Sequence, residues 1–151
     1  MSDIAALKKD VNMKTWQLLL LTLVTVGIYN LVWIFTTTNK IQCHTGIKVV
    51  GQPFLLVMSV CFAWAGVFSE SIYPLVALLS LAISVSLLAL YEVWAFKARK
   101  ALQQVALVEH QQVYKMNVIY TFLFTLYYIN YCINDLPKQL EKQKADIDAL
   151  L

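Results

Sequence analysis

Four long stretches of the chain contain no charged residue, and this pattern constrains the fold more than any other feature of the sequence. They are Thr15–Asn39, Val49–Ser69, Ser71–Tyr91 and Met116–Asn134. A helix rises ~1.5 Å per residue, so each stretch is about as long as a hydrocarbon core of ~30 Å is thick. Of all residues 60% are hydrophobic and only 14% are charged. We therefore expect an all-α integral membrane protein.

The whole chain, residues 1–151, is expected to form a single membrane domain, because no Gly-, Ser- or Pro-rich run separates two halves. Residues 1–13 are predicted to form an amphipathic segment that lies in the headgroup plane. The apolar residues on its common helical face are Ile4, Leu7 and Val11. Residues 138–151 are predicted to form an amphipathic C-terminal tail, in which Leu140, Ile147 and Leu151 share a face.

Prolines indicate where several helices begin or end. Pro53 and Pro74 each precede a long apolar run, and proline suits the first turn of a helix because its missing N–H has no intrahelical role there. These two runs are expected to form a central transmembrane hairpin. The mixed segment Ala101–Gln112 is expected to be a surface helix, and Pro137 is expected to follow the end of the fourth element.

The charge distribution favours one of two topologies for the first and fourth apolar elements. If all four elements crossed as plain transmembrane helices, the basic residues would divide equally between the two sides. One side would hold Lys8, Lys9, Lys14, Lys138, Lys142 and Lys144. If the first and fourth elements instead re-enter on the side from which they came, all 12 basic residues lie on one side. The second arrangement obeys the positive-inside rule, so both termini are predicted to be cytosolic.

The apex of the first re-entrant element is predicted at Gly27. Around it, the run Thr25–Trp33 reads T-V-G-I-Y-N-L-V-W. This run resembles the T-x-G-I-Y-x-x-x-W signature of a family of small bacterial membrane proteins of unknown function. The resemblance implies a location in the bacterial inner (cytoplasmic) membrane and implies no activity. A similar run, Thr125–Asn130, follows 100 positions later, which hints at an internal duplication of the element.

Several side chains in or near these elements are candidate binding or structural residues. Tyr29 and Trp33 are four residues apart, so they share a helical face as a packing pair or as a clamp for a ligand. Glu92 ends the third apolar run, where it would mark the membrane boundary or hold a proton or cation. Thr25, Asn130 and other polar residues are expected to hydrogen-bond between elements.

Tyr128 belongs to an unusually phenol-rich fourth element, which favours a shallow position near the interface. His44 and His110 are expected to be ordinary solvated residues. The sequence contains no recognisable catalytic set, metal-ligand spacing or cofactor motif, and its scattered lysines do not form a nucleic-acid stripe.

The sequence therefore favours a non-enzymatic inner-membrane protein that contacts lipids and acts by binding, as an accessory or scaffold subunit of a larger membrane assembly or as a homo-oligomer. One alternative is a protein that handles lipids or small molecules in a cleft near Tyr29, Trp33 and Tyr128. Another is a membrane immunity or stress protein.

Overall fold

A computed structural model describes residues 4–11, 13–68, 72–111 and 113–148, and these residues are all helical or in short connections. The helices in the described part are α1 (Ile4–Val11), α2 (Thr15–Val24), α3 (Ile28–Thr45), α4 (Gln52–Phe68), α5 (Pro74–His110) and α6 (Val118–Asp148). The predicted all-α fold class is confirmed.

The helices α4 and α5 form the long axis of the molecule. Pro74 is the first residue of α5, as the sequence predicts. The two helices are antiparallel, since the Ser80 hydroxyl reaches the Ala65 carbonyl at one end and the Lys97 ammonium lies over the Phe54 ring at the other. Among the described residues, one helix is long and apolar enough to cross a membrane, and it covers Pro74–Val108. The apolar α4 is shorter, with 17 residues.

Burial divides the α4–α5 pair into two parts that we call the stem and the head. The stem consists of Val60–Phe68 and Pro74–Ser86, where Ser80 is the one buried residue. The head consists of all other described residues. Within it, one face of α5 is buried through Leu87, Trp94, Ala95, Ala98, Ala101, Leu102, Val105 and Ala106. The hydrophobic core therefore lies around the second half of α5.

This burial corrects the prediction for Ala101–Gln112. The segment up to His110 is a continuation of α5, and Leu102 and Ala106 in it are completely buried. Pro137 also behaves differently from the prediction, because α6 continues through it to Asp148. Leu136 and Leu140 on either side of Pro137 are both buried. Their packing offsets the backbone hydrogen bond that proline cannot donate.

The amphipathic N-terminal segment also differs from its prediction. Its apolar residues Leu7 and Val11 are buried, and α1 packs against α3 and α6. Other helices of the protein therefore cover Leu7 and Val11, which were expected to face the lipid headgroups. In the C-terminal tail, Leu140 faces the core, while the side chain of Ile147 and all of Leu151 lie outside the described residues.

Candidate functional site

The first apolar element is broken by a turn at the position that the sequence predicts. The helix α2 ends at Val24 and α3 begins at Ile28. Val26 has φ 52° and Gly27 has φ 85°, which are left-handed conformations that glycine adopts without steric penalty. The Thr25 hydroxyl donates to the Leu21 carbonyl at 2.8 Å and accepts the Tyr29 N–H at 3.0 Å, so it supports both sides of the turn.

The turn folds α3 back along α2 and α1, giving a helical hairpin that we call hairpin 1 (residues 13–45). Near the turn, Thr22 hydrogen-bonds to Asn30 across the two arms. Further away, the Lys40 ammonium donates to the Asp10 carbonyl at 2.6 Å, and His44 Nε2 lies 2.7 Å from Asp10 Oδ2. These contacts place the two ends of the element beside each other, which a straight helix over Thr15–Asn39 cannot do.

Contacts with α4 show how far hairpin 1 extends along the long axis. A Cβ atom on Gly27 would lie 3.4 Å from the Phe62 ring. Phe62 is ten residues after Gln52, the first residue of α4. At ~1.5 Å per residue this separation is about 15 Å, or half of a hydrocarbon core of ~30 Å. The tip of hairpin 1 therefore ends beside the middle of α4.

The fourth apolar element contains a second turn, which has no glycine. Thr125 interrupts α6 with φ 39° and ψ −108°. Its hydroxyl donates to Glu92 Oε1 on α5 at 2.9 Å. Glu92 Oε2 is buried and has no hydrogen-bond partner in the part of the chain that the structure describes. The carboxylate thus faces the turn, and a contact between distant parts of the chain supports a backbone conformation that is unfavourable for threonine.

Residues on both sides of the second turn meet, so this element is also a hairpin, which we call hairpin 2 (residues 113–136). The Asn117 N–H donates to the Tyr128 hydroxyl at 2.9 Å. Gln103 Nε2 of α5 donates to the Tyr114 carbonyl at 3.1 Å. The Arg99 guanidinium donates to the Met116 carbonyl at 2.8 Å and attaches hairpin 2 to α5.

The start of hairpin 1 is joined to the second arm of hairpin 2 by amide hydrogen bonds, which we call the polar clamp (Met13, Thr15, Asn130 and Asn134). Asn130 Nδ2 donates to the Met13 carbonyl at 3.0 Å and to the Thr15 hydroxyl at 3.3 Å. Asn134 Nδ2 donates to the same Met13 carbonyl at 3.0 Å. Asn130 is completely buried, so its donors have no access to water. The clamp fixes the start of hairpin 1 against the second arm of hairpin 2.

The structure brings together only part of the cleft predicted near Tyr29, Trp33 and Tyr128. Tyr29 and Trp33 line a small cavity of about 70 Å³ together with Val11 and Met13. Tyr128 is not among the described residues that line it. A drug-sized ligand occupies a pocket of roughly 300–1,000 Å³, so this cavity is too small for one.

Trp33 has its ring partner on another helix. Its indole packs edge-on against Trp94 of α5, with ring centroids 5.7 Å apart. Trp94 Nε1 donates to the Thr38 hydroxyl at 2.8 Å, whereas Trp33 Nε1 is buried without a hydrogen-bond partner in the described part of the chain. The pair joins α3 to the core face of α5. Tyr128 instead contacts the rings of Tyr120 and Tyr131 within α6.

Sequence reasoning did not find the contacts between distant residues. His44 was expected to be an ordinary solvated residue; it is partly exposed, and its ring contacts the exposed Asp10, which the sequence did not indicate. The pairs Thr125–Glu92 and Trp33–Trp94 also join residues far apart in the chain, and no local pattern indicates them. In the described ranges, no group of three or more His, Cys, Asp or Glu residues could hold a metal ion.

In the part of the chain that the structure describes, these features define an all-helical protein with one helix that could cross a membrane and two helical hairpins packed at one end of it. The chain belongs to a family described as a domain of unknown function, DUF4234, whose match covers residues 13–104. The matched region includes hairpin 1 and nearly all of α5, and it ends before hairpin 2. No curated protein and no solved structure matches the chain.

Proposed function

We propose that this chain is a non-enzymatic, multi-pass protein of the bacterial inner membrane that serves as a scaffold, either as an accessory subunit of a larger membrane assembly or as a homo-oligomer. In this proposal α4 and α5 cross the bilayer. Hairpins 1 and 2 enter it from the cytosolic side and return to that side, as re-entrant elements. The observation that carries the topology is the polar clamp. It holds the start of hairpin 1 against the second arm of hairpin 2, which supports entry of both hairpins from one side.

Two further contacts support a common cytosolic side. Asp10 in α1 touches both Lys40 and His44 at the end of α3, so the two ends of hairpin 1 lie together. In addition, this arrangement leaves all 12 basic residues on the side of the termini, as the positive-inside rule favours. A scaffold role fits the broad head, which offers several helices to a partner beside the membrane.

The topology is tested with single-cysteine variants and a membrane-impermeant maleimide applied to intact cells. Cys61→Ser with Cys132→Ser leaves the exposed Cys43 as the only thiol. The matched variant removes all three cysteines and adds Ile72→Cys between α4 and α5, where Ile72 is 90% exposed. Re-entrant hairpins predict labelling of Ile72→Cys in intact cells and of Cys43 only after permeabilisation. Four plain transmembrane helices with a cytosolic N-terminus predict the reverse pattern, which would overturn the proposal.

The scaffold role is tested by purification in a mild detergent followed by native mass spectrometry. A stoichiometric protein partner, or a defined homo-oligomer, is the expected result. A monomer that carries one tightly bound lipid and no protein partner would contradict the scaffold role and support lipid handling. For that outcome, substitution of Tyr29 or Trp33 should release the lipid if the small cavity at these residues contributes to binding.

A further inference from the structure

The stem and the head differ strongly in width. In the stem beyond Phe62 only α4 and α5 run side by side, and almost all of their side chains are at least partly exposed. At the level of the head, the same two helices are joined by the two arms of hairpin 1 and the two arms of hairpin 2. The protein therefore has two helical cross-sections at one end of its long axis and up to six at the other.

The added arms reach only part of the way along the axis. Hairpin 1 ends beside Phe62, about halfway across a hydrocarbon core counted from Gln52. Hairpin 2 turns at the level of Glu92, which is 18 residues, or about 27 Å, from Pro74 at the far end of α5. In the proposed topology hairpin 1 therefore displaces lipid from the cytosolic leaflet alone. The turn of hairpin 2 lies only about 3 Å inside the cytosolic edge of a ~30 Å core, so hairpin 2 displaces little lipid.

The tips of both hairpins present apolar side chains that the protein does not cover. In hairpin 1 the exposed fractions are 72% for Leu23, 71% for Val24 and 84% for Val26. In hairpin 2 they are 61% for Phe122 and 63% for Leu123. Such contiguous exposed apolar surface indicates an apolar partner.

Charge identifies that partner as lipid. Exposed basic residues lie near the bases of the hairpins, where phosphate headgroups of an inner leaflet would lie. They are Lys14, Lys100, Lys115 and Lys138. Anionic headgroups attract basic residues at the membrane surface, with about 1 kcal/mol for each. Apolar tips above a basic ring therefore fit one leaflet of an anionic bilayer.

We propose that the protein acts as a wedge in the cytosolic leaflet, and that it prefers and stabilises membrane that is convex toward the cytosol. This inference rests on the proposed re-entrant topology. A helix with its side chains is ~10 Å wide, so each cross-section covers about 80 Å² and the two arms of hairpin 1 add about 160 Å² to one leaflet. An area difference between leaflets favours bending toward the larger one, as for helices inserted into one side of a bilayer.

The test uses the purified full-length chain in giant vesicles of phosphatidylethanolamine and phosphatidylglycerol, from which a narrow tether is pulled outward. Reconstitution inserts the chain in both orientations. An impermeant maleimide dye added outside labels only the molecules whose single cysteine faces the outside. Cys43 as the only thiol reports molecules whose head faces outward. Ile72→Cys on the cysteine-free chain reports molecules whose head faces inward. The outer leaflet of the tether is convex, so the two populations should respond in opposite directions.

Molecules labelled at Cys43 should be enriched in the tether about two-fold relative to the vesicle surface, a preference of roughly 0.4 kcal/mol. Molecules labelled at Ile72→Cys should be depleted by a similar factor. Equal densities of both populations in tether and vesicle would overturn the wedge proposal. The labelling of intact cells separates this result from a failure of the topology, because it measures sidedness without curvature.

A matched pair of variants locates the effect in the hairpin tips. Leu23→Ser with Val24→Ser removes apolar surface from the tip of hairpin 1 and should reduce the enrichment. Leu75→Ser with Val67→Ser makes the same chemical change in the stem and should leave the enrichment unchanged. Both pairs are exposed, so neither change disturbs the core. An equal loss of enrichment in both variants would contradict a wedge formed by the hairpins.

Discussion

The two hairpin turns lie 100 residues apart in similar local sequences, yet different interactions support them. The first turn is made by Val26 and Gly27, and the Thr25 hydroxyl bonds only to backbone atoms within four residues of it. At the second turn Thr125 has φ 39° without a glycine beside it, and its hydroxyl bonds to Glu92 on α5. A turn can therefore be encoded locally or imposed by a contact between helices.

The asparagines that follow the two turns differ in the same way. Asn30 bonds to Thr22 within hairpin 1 and is only partly buried. Asn130 is completely buried and bonds to Met13 and Thr15 in a different hairpin. Matched substitutions at equivalent positions therefore separate local support from support by other parts of the fold.

The largest effect is expected for Asn130→Ala. This substitution removes two hydrogen bonds of the polar clamp, at about 1 kcal/mol each, and leaves a small cavity, so the free energy of unfolding should fall by about 3 kcal/mol. Asn30→Ala is the matched control and should lower it by roughly 0.6 kcal/mol. Thermal unfolding of the purified variants in detergent micelles measures both. Equal losses at the two sites would contradict the clamp as the link between the hairpins.

A smaller effect is expected for Thr125→Val, which keeps the shape of the side chain and removes the hydroxyl. Glu92 then loses its hydrogen bond while it remains largely buried, so the free energy of unfolding should fall by about 2 kcal/mol. Thr25→Val should lower it by about 1 kcal/mol, the usual effect of losing a helix cap. The double variant Thr125→Val with Glu92→Leu should regain stability relative to Thr125→Val alone. If it does not, the Thr125–Glu92 bond does not support the second turn.

The smallest of the three effects is expected for Gly27→Ala. Alanine at φ 85° is less favourable than glycine by about 1 kcal/mol, and its Cβ would also lie against the Phe62 ring. Gly66→Ala in the stem is the control, because Gly66 is helical and a Cβ there has open space. The control should raise the stability by up to ~1 kcal/mol. A loss at both glycines, measured by the same unfolding experiment, would show that the effect does not come from the turn.

The parts of the fold that the sequence predicts correctly are those with a local signal. The four uncharged stretches predict apolar helices, Pro74 predicts the start of α5, and Gly27 predicts the first turn. Each of these follows from hydrophobic burial or from backbone sterics within a few residues. The second turn lacks such a signal, since threonine is not a residue that favours positive φ.

The candidate residues were likewise predicted correctly only where the signal is local. Tyr29 and Trp33 share a helical face, as their spacing predicts, and both line one small cavity. Their assignment to one cleft with Tyr128 could not be derived from spacing, because Tyr128 lies in a separate hairpin whose position depends on packing against α5. Glu92 was recognised at the boundary of an apolar run, but its partner Thr125 becomes visible only in the folded chain.

The sequence by itself determined that the chain is helical, largely apolar and free to turn at Gly27, because hydrophobicity and backbone sterics act within a few residues. The tertiary structure decided that both apolar end elements fold back as hairpins, and that Asn130 in the second arm of hairpin 2 bonds to the start of hairpin 1. Such decisions depend on which distant groups can satisfy buried donors and acceptors. That matching is a property of the folded chain as a whole, because most buried polar atoms find a partner wherever packing places one.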